Sequence, residues 1–593
     1  MSTVMSRRDL DFLLHEWLGT EELLARPRYA DHSRETVDAV LDLAEQIATA
    51  HFAPHNRASD LQEPTYDGST VTVIPEVAVA LQAFADAGFL TADVEEGSAL
   101  PSSVRAATMA WFQAANAGTS AYALLTSAAA NLLRKHGTPD QVERYAVPMG
   151  DGRFFGTMML SEPHAGSNLA DITTRAEPQD DGTYRIFGRK MWISGGDHEM
   201  GDNIVHLVLA RIPGSPPGTK GISLFVVPKH LVLDDGSLGD RNDLTLAGIN
   251  HKMGFRGTVN TAPVLGDGAF EPGGRPGAIG YLVGEENRGM ALMFSMMNEA
   301  RIGVGLCAAA IGYTGYLESL AYARDRVQGR PIGADPSSPQ VTLVEHPDVR
   351  RMLLAQKAYV EGALALVLLA ARLHDDSETA PSDAERAEAA ALLGLLTPVV
   401  KSWPSQYGPA ANDLAIQVLG GAGYTRDFDV EQHYRDNRLN PIHEGTHGIQ
   451  ALDLLGRKVL LDGGKALGLL VSRIQATSGR ARATGDAGAA LADRLDAACT
   501  DLVATTAAVG ALGDPQRMLA DATAYLEATG HVVVAWIWLD QWLAAYGEQG
   551  AFYDGKRAAA TYFLTRELPR TGPMLAILRD ADGLTLNLDP AVL

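Results

Sequence analysis

Residues 153–177 read RFFGTMMLSEPHAGSNLADITTRAE, and the fold turns on them. Upstream, residues 33–52 (SRETVDAVLDLAEQIATAHF) space apolar side chains at helical period, with Ser33 at the N-cap and Glu35 behind it. Residues 103–137 continue as helix rich in small residues, stopping near Gly137 and Pro139. At Arg153 the texture changes. TYRIFGRKMWISGG (183–196), NIVHLVLARI (203–212) and GISLFVVPKH (221–230) are short β-branched and aromatic runs between Gly, Pro and Asp. Long helical patterns return over 287–329, 346–376 and 398–424. The order is helices, one β-block, then helices. It predicts an α+β chain, mostly α, and disfavours a doubly wound sheet.

Five segments are expected. They are an N-terminal helical extension over 1–35, a helical domain over 36–155 and a middle β-domain over 156–280. A helical bundle over 281–465 and a C-terminal helical domain over 466–593 follow. ATSGRARATGDAGAA (476–490) reads as a linker or exposed loop, and tryptophans 536, 538 and 542 share one element without fitting one helix face.

The 593 residues carry 49 Lys+Arg against 72 Asp+Glu, a formal charge of -23, which repels nucleic acid and anionic membranes. Two distant cysteines, Cys307 and Cys499, fit a reducing cytoplasm and exclude a disulfide framework. The N-terminus does not read as a signal peptide. The apolar run ending in WIWLDQWLAAY is interrupted by Asp540 and too short for a bilayer, so no membrane span is expected.

No GxGxxG follows a strand and no GxxxxGK[ST] appears, so nucleotide binding through a Rossmann or P-loop unit is excluded; the glycines of GVGLCA (303–308) read as close-packing positions. No metal site is expected, because Gly445 and a turn separate His443 from His447. The loop around Ser161 and Ser167 offers hydroxyls and amides to a polar heterocycle or phosphate, or else is a plain turn. Trp192 is a ligand platform or a core residue. In NPIHEGTHGIQALDL (440–454), Glu444 is a capping acid, a surface charge or a catalytic base.

Taken together, LSEPHAGSN (160–168), KMWISGG (190–196), HKMG (251–254), VGEENRG (283–289), NEARIGVG (298–305), ARDRVQGRP (323–331), QVLGGAGYTRD (417–427) and HEGTHGIQALDL (443–454) resemble the acyl-CoA dehydrogenases in order and spacing. The chain is similar to the extended bacterial branch with a C-terminal helical domain, which includes 3-methylmercaptopropionyl-CoA dehydrogenase-like enzymes. The resemblance implies FAD held without a Rossmann domain and dehydrogenation of an acyl-CoA to the trans-2-enoyl-CoA. Glu444 would be the base that takes the α-proton. Its backbone N–H, with the flavin ribityl hydroxyl, would donate to the thioester carbonyl, and Gly445 would let the chain turn sharply beside the flavin and substrate. Met158, Leu160, Ser161, Ser167, Trp192, Ser194 and Thr446 match flavin contacts. Arg326, Gln417, Gly420 and Gly421 match residues that hold the FAD pyrophosphate and adenosine of a neighbouring subunit, which implies a homodimer or a dimer of dimers. Ser167, Asn298 and Arg301 match contacts to the CoA ligand. Arg301, a cation in an apolar helix, is expected to meet Glu285 or a CoA oxygen.

An electron-transfer flavoprotein is the implied electron acceptor. Oxygen, making the enzyme an oxidase, and a flavin-bearing DNA-binding protein are the competing readings. The acidic balance of 470–593 speaks against the last. Against the family pattern, His443 stands where an aromatic tyrosine is usual, Asn168 where aspartate is common, and Gly448 where many relatives carry a polar side chain. His443 would either hydrogen-bond there or, when protonated, stabilise the Glu444 anion and shift the pH profile.

Overall fold

A computed structural model describes residues 4–91 and 99–593. It is 61% helix and 12% strand. The chain folds as two compact units: 42–94 with 115–300, and 1–41 with 95–114 and 301–593.

The first unit is built on a nine-stranded sheet. Strand Phe154–Met159 pairs in parallel with Asn203–Arg211, which pairs antiparallel with Ile222–Pro228, and that strand with Ala278–Val283. Strand Asn203–Arg211 is buried on both faces, which explains its unbroken apolar run. On one side Val205, Leu207 and Leu209 pack with Ala129, Leu132 and Leu133 of helix Ala117–His136. On the other, Val208 and Ala210 pack with Phe225, Ile186 and Leu265. The helix pattern read across 103–137 breaks at Asn116, whose side chain accepts from Thr119 N and caps a new helix that ends at Gly137. Ser33 likewise accepts from Thr36 N (3.4 Å) at the start of helix Arg34–Ile47.

The second unit is a helical bundle. Helix Gly289–Asp325 supplies its residues from Arg301 onward, and helices Pro347–Thr379 and Asp383–Leu419 lie beside it. Helix Asp383–Leu419 contains Pro398, Pro404 and Pro409. Pro404 has no N–H for the Val400 carbonyl, and a Cβ on Gly305 would lie 2.1 Å from that oxygen. Gly408 stands equally close to the Ala308 carbonyl, where a Cβ would meet it at 2.4 Å. The glycine of GVGLCA at 305 is thus a close-packing position, as expected. Helix Pro347–Thr379 is long and apolar enough to cross a membrane, more than sequence reading credited, but 89% of its apolar window is buried.

The expected 476–490 linker is mostly helix: Lys465–Arg482 and Asp486–Gly510 form a hairpin. Only Gly485, at φ 115°, turns the chain. Small residues there serve packing, since a Cβ on Gly488 would lie 2.2 Å from the Ala481 carbonyl. The three tryptophans sit on helix Ala522–Ala544, buried from Tyr525 to Leu539 apart from Glu527, so no single face has to hold them. Trp538 Nε1 donates to the Ala358 carbonyl (3.0 Å), so the C-terminal helices share a core with the bundle.

Candidate active site

In the β-unit, the segment after Phe154–Met159 is clamped by a buried lysine. Lys190, 1% exposed, donates to the carbonyls of Leu160 (3.1 Å) and Leu209 (2.8 Å) and to Glu162 Oε1 (3.1 Å). Glu162 also accepts the amides and hydroxyls of Thr173 and Thr174 at 2.6–3.0 Å. Burial alone would raise this carboxyl, but Lys190 and the four donors bring it down to about 2. Burial lowers Lys190 to about 8 against the pull of Glu162. Met191 N donates to the Ser161 carbonyl (3.1 Å), so one clamp fixes both the Met158–Ser161 edge and the chain entering Trp192. Neither Lys190 nor Glu162 was singled out from sequence, although a lysine inside FGRKMWI is a visible signal.

Replacing Lys190 by methionine should lower stability by about 2 kcal/mol, less than for a fully orphaned charge because Glu162 keeps four donors. The flavin-to-protein absorbance ratio should fall with it. Thermal unfolding and the absorbance spectrum check this.

Trp192 is no core residue. Its indole is 64% exposed, and its backbone sits at φ 64°, a costly conformation for a bulky side chain. Strain that buries nothing within the chain suits a platform for a stacked ring. Ser194 Oγ accepts from Asn260 Nδ2 (3.3 Å), Met158, Leu160 and Ser161 are half-buried, and Ser167 is exposed. Asn168 Oδ1 accepts from Ala170 N (2.9 Å), so the missing aspartate charge leaves a turn intact.

In the helical unit, Arg326 and Gln417 are exposed, and the Arg326 guanidinium has no side-chain partner among the described residues. Gly420, at φ 61°, and Gly421 have open space where a Cβ would stand. An unpartnered guanidinium suits a phosphate, and bare glycines suit close approach of a ligand to backbone. Taken separately, Trp192 fits a stacked aromatic ring, and Arg326 with Gly420 and Gly421 fits a phosphate. Asn298 lies in helix Gly289–Asp325, and its side chain lies outside the described residues.

Glu444 lies at φ 52°, two residues ahead of the helix N-cap Thr446, which accepts from Ile449 N (3.4 Å). It is therefore not a first-turn capping acid. Its carboxylate is half-buried and makes no hydrogen bond or ion pair among the described residues. Burial raises its pKa above the ordinary carboxylate value, and the charges of Lys401 and Arg301 oppose that rise. Gln450 Nε2 donates to the Glu444 carbonyl (3.1 Å) and holds the strained backbone. Gly445 follows at φ 89°, where a Cβ would meet Gln450 Nε2 at 2.6 Å. No other residue fits there.

A relay of amides supports the turn. Asn412 Nδ2 donates to the Ile311 carbonyl (3.1 Å), and Asn437 Nδ2 to Asn412 Oδ1 (2.8 Å) and the Ala308 carbonyl (3.0 Å). Asn440 Nδ2 then donates to Asn437 Oδ1 (2.9 Å), leaving Asn440 Oδ1 to accept from His443 Nε2 (3.1 Å). Burial, then Lys401, depress His443 to about 3 and, with Arg438, His447 to about 4. His443 is therefore a neutral ring that hydrogen-bonds, the first of the two roles expected of it, and the cations acting on Glu444 are Lys401 and Arg301 on other elements. Arg301, 5% exposed, pairs with Asp453 (3.3 Å), a partner that sequence reading did not name. Trp111 and Phe112 are fully buried.

Comparison with known proteins bears on this arrangement. The acyl-CoA dehydrogenase middle domain matches residues 157–267, its C-terminal domain residues 287–460, and an acetyl-CoA dehydrogenase C-terminal-like domain residues 470–589. The chain is 36% identical to 3-methylmercaptopropionyl-CoA dehydrogenase of Ruegeria pomeroyi over 95% of both chains. It is 34% identical to a broad-specificity linear acyl-CoA dehydrogenase of Mycobacterium tuberculosis over 98% of both. In fold it is similar to Caenorhabditis elegans ACDH-11 solved with C11-CoA, at TM-score 0.76 and 20% identity, covering 97% of this chain and 93% of that one. An FAD-bound acyl-CoA dehydrogenase from Bacillus anthracis superposes at TM-score 0.72 and 17% identity, covering 99% and 93%. With two curated relatives above 30% identity along nearly the whole chain, this protein belongs to the acyl-CoA dehydrogenase family.

Proposed function

We propose that this FAD-dependent acyl-CoA dehydrogenase desaturates its substrate between the α and β carbons, with Glu444 as the base. The observation that carries the assignment is the Glu444 carboxylate itself: half-buried, raised in pKa, held on a strained backbone and without a protein partner among the described residues. A thioester α-carbon is a weak acid, so its proton leaves only to a base held within reach while the carbonyl is polarised. The Glu444 amide and the sharp turn at Gly445 supply that polarising donor. The chemistry that FAD supplies when bound is acceptance of the β-hydrogen with its electron pair. Trp192, Met158, Leu160, Ser161, Ser167, Ser194 and Thr446 hold the flavin end of the cofactor. Arg326, Gln417, Gly420 and Gly421 hold the phosphate and adenosine end of a cofactor bound by a second copy, which makes the working enzyme at least a homodimer. Likeness to the family assigns Asn298, Arg301 and Ser167 as contacts to the CoA ligand. An electron-transfer flavoprotein takes the electrons onward; neither of the two curated relatives is named an oxidase or a DNA-binding protein.

Anaerobic titration of the purified holoenzyme with acyl-CoAs of graded length and branching tests this reading. One chain class should bleach the flavin absorbance and yield the enoyl-CoA. FAD-loaded protein that no acyl-CoA bleaches would overturn it, and peroxide formed in air at the rate of turnover would overturn the assigned acceptor.

A further inference from the structure

Lys401 was absent from every motif, yet its charge is buried at a cost. It lies on helix Asp383–Leu419, wholly buried at 0% exposure. Its ammonium donates to the Asn440 carbonyl (2.9 Å), and no carboxylate pairs with it among the described residues. A buried ammonium with one carbonyl partner is far from satisfied. Four residues past that carbonyl stands Glu444, the half-buried carboxylate without a partner. These two charges complement each other.

The neighbouring groups do not provide another pairing. Glu444 is faced by Lys401 and Arg301. The Arg301 charge is already met by Asp453, which Arg457 shares (2.6 Å) and beside which Lys458 lies. Lys401 is faced by Glu444 and, at longer range, Arg301. His443 and His447 lie beside Lys401, and Arg438 faces His447; both imidazoles are neutral. The Asn440 carbonyl that binds Lys401 belongs to the residue whose amide ends the asparagine relay on His443, so one lysine touches the turn mechanically and the base electrostatically.

We propose that Lys401 is a positioning residue for the reaction: through the Asn440 carbonyl it fixes the turn that carries the base, and its ammonium is the counter-charge of the Glu444 carboxylate. The proposal rests on the reading of Glu444 as the base. When substrate excludes water from the site, the carboxylate must remain an anion in a medium that disfavours it, and a cation fixed beneath the turn does that without occupying the face that meets the α-proton. The cost is lower basicity, so the lysine widens the working pH range at some expense of intrinsic rate.

The test uses the FAD-loaded enzyme and three variants. Lys401→Met removes the charge at similar length, Lys401→Arg keeps it, and Glu444→Gln is combined with Lys401→Met. The acidic midpoint of kcat/KM should rise by about one pH unit in Lys401→Met, so that below it the rate falls about tenfold relative to the alkaline plateau. Lys401→Arg should restore the midpoint. In thermal unfolding, the Tm loss from Lys401→Met should be smaller in the Glu444→Gln background than in the wild type, because the two groups are coupled. An unmoved acidic midpoint, or Tm losses that simply add, would overturn the proposal. Should Lys401→Met alone fail to hold FAD, recovery of a yellow folded protein in the double variant supports it, and equal failure overturns it. Undiminished flavin bleaching in Glu444→Gln alone would instead overturn the base assignment.

Discussion

Glu444→Gln should lower kcat/KM for the preferred acyl-CoA by about 10²–10⁴-fold, the range for loss of a positioned general base. Glutamine keeps the size of the side chain and the φ 52° backbone held by Gln450, so FAD content should change little. Substrate binding should survive, because the amide proposed to hold the thioester carbonyl belongs to the backbone. Stopped-flow reduction at saturating acyl-CoA separates the two: the rate of bleaching falls while the concentration for half-saturation stays near that of the wild type.

The pH dependence of the wild type follows from the same group. The base works only as an anion, and burial raises its pKa above the usual carboxylate value. Activity is therefore present above that raised pKa and lost as pH falls through it, which places the acidic limb above that of an exposed glutamate. His443, lowered to about 3, contributes no limb near neutrality. A limb that survives unchanged when His443 is replaced by phenylalanine confirms this.

Helix–strand–helix order was legible in the sequence because strand Asn203–Arg211 and its neighbours are short β-branched runs bounded by turn residues. The hairpin at 465–510 was not. Gly479 and Gly488 have the composition of a loop, and only contact with the Ala481 carbonyl reveals that Gly488 is there for packing. Motif positions such as Glu444 and Trp192 stood out through residue type and spacing. The residues that hold them did not: Lys190, Lys401, Asn440 and Gln450 act through backbone carbonyls or amides, and a sequence does not show which carbonyl a lysine will find. The protein partner of Arg301 was not legible either: Glu285 or a CoA oxygen was expected, and Asp453, 152 positions away along the chain, is the carboxylate that meets it.

The C-terminal helical segment, whose role the sequence left open, is joined to the N-terminal segment by a buried lysine as well as by bonds such as Arg8 to Tyr553 and Trp17 to Asp540. Lys556 on helix Ala551–Tyr562 is wholly buried, in ion pairs with Asp9 of helix Arg7–Asp11 and with Glu361 of helix Pro347–Thr379 (2.9 Å), and it donates to Gln541 (3.1 Å). The ammonium also lies 5.0 Å from the Phe12 ring centroid and 5.5 Å from that of Trp538. Tyr313 donates to the other Asp9 oxygen (2.9 Å), and Lys357 holds Glu361 as well. Burial would raise Glu361, but Lys357 and Lys556 keep it below the usual range, whereas burial and the facing Glu361 raise Asp9. Lys556→Met fills similar volume but leaves two buried carboxylates facing each other with one cation between them. The expected cost is about 3–5 kcal/mol, the range for breaking one side of a buried ion pair. Asp9 is already raised by burial and by Glu361, and it rises further without Lys556, so the variant is least stable at high pH and recovers as acid protonates it. Its Tm deficit against the wild type should therefore narrow between pH 7 and pH 5, and a second change, Asp9→Asn, should restore part of the loss at pH 7. A deficit independent of pH, with no rescue by Asp9→Asn, would mean that Lys556 acts through packing against Phe12 and Trp538, and that its charge does not hold the two termini together.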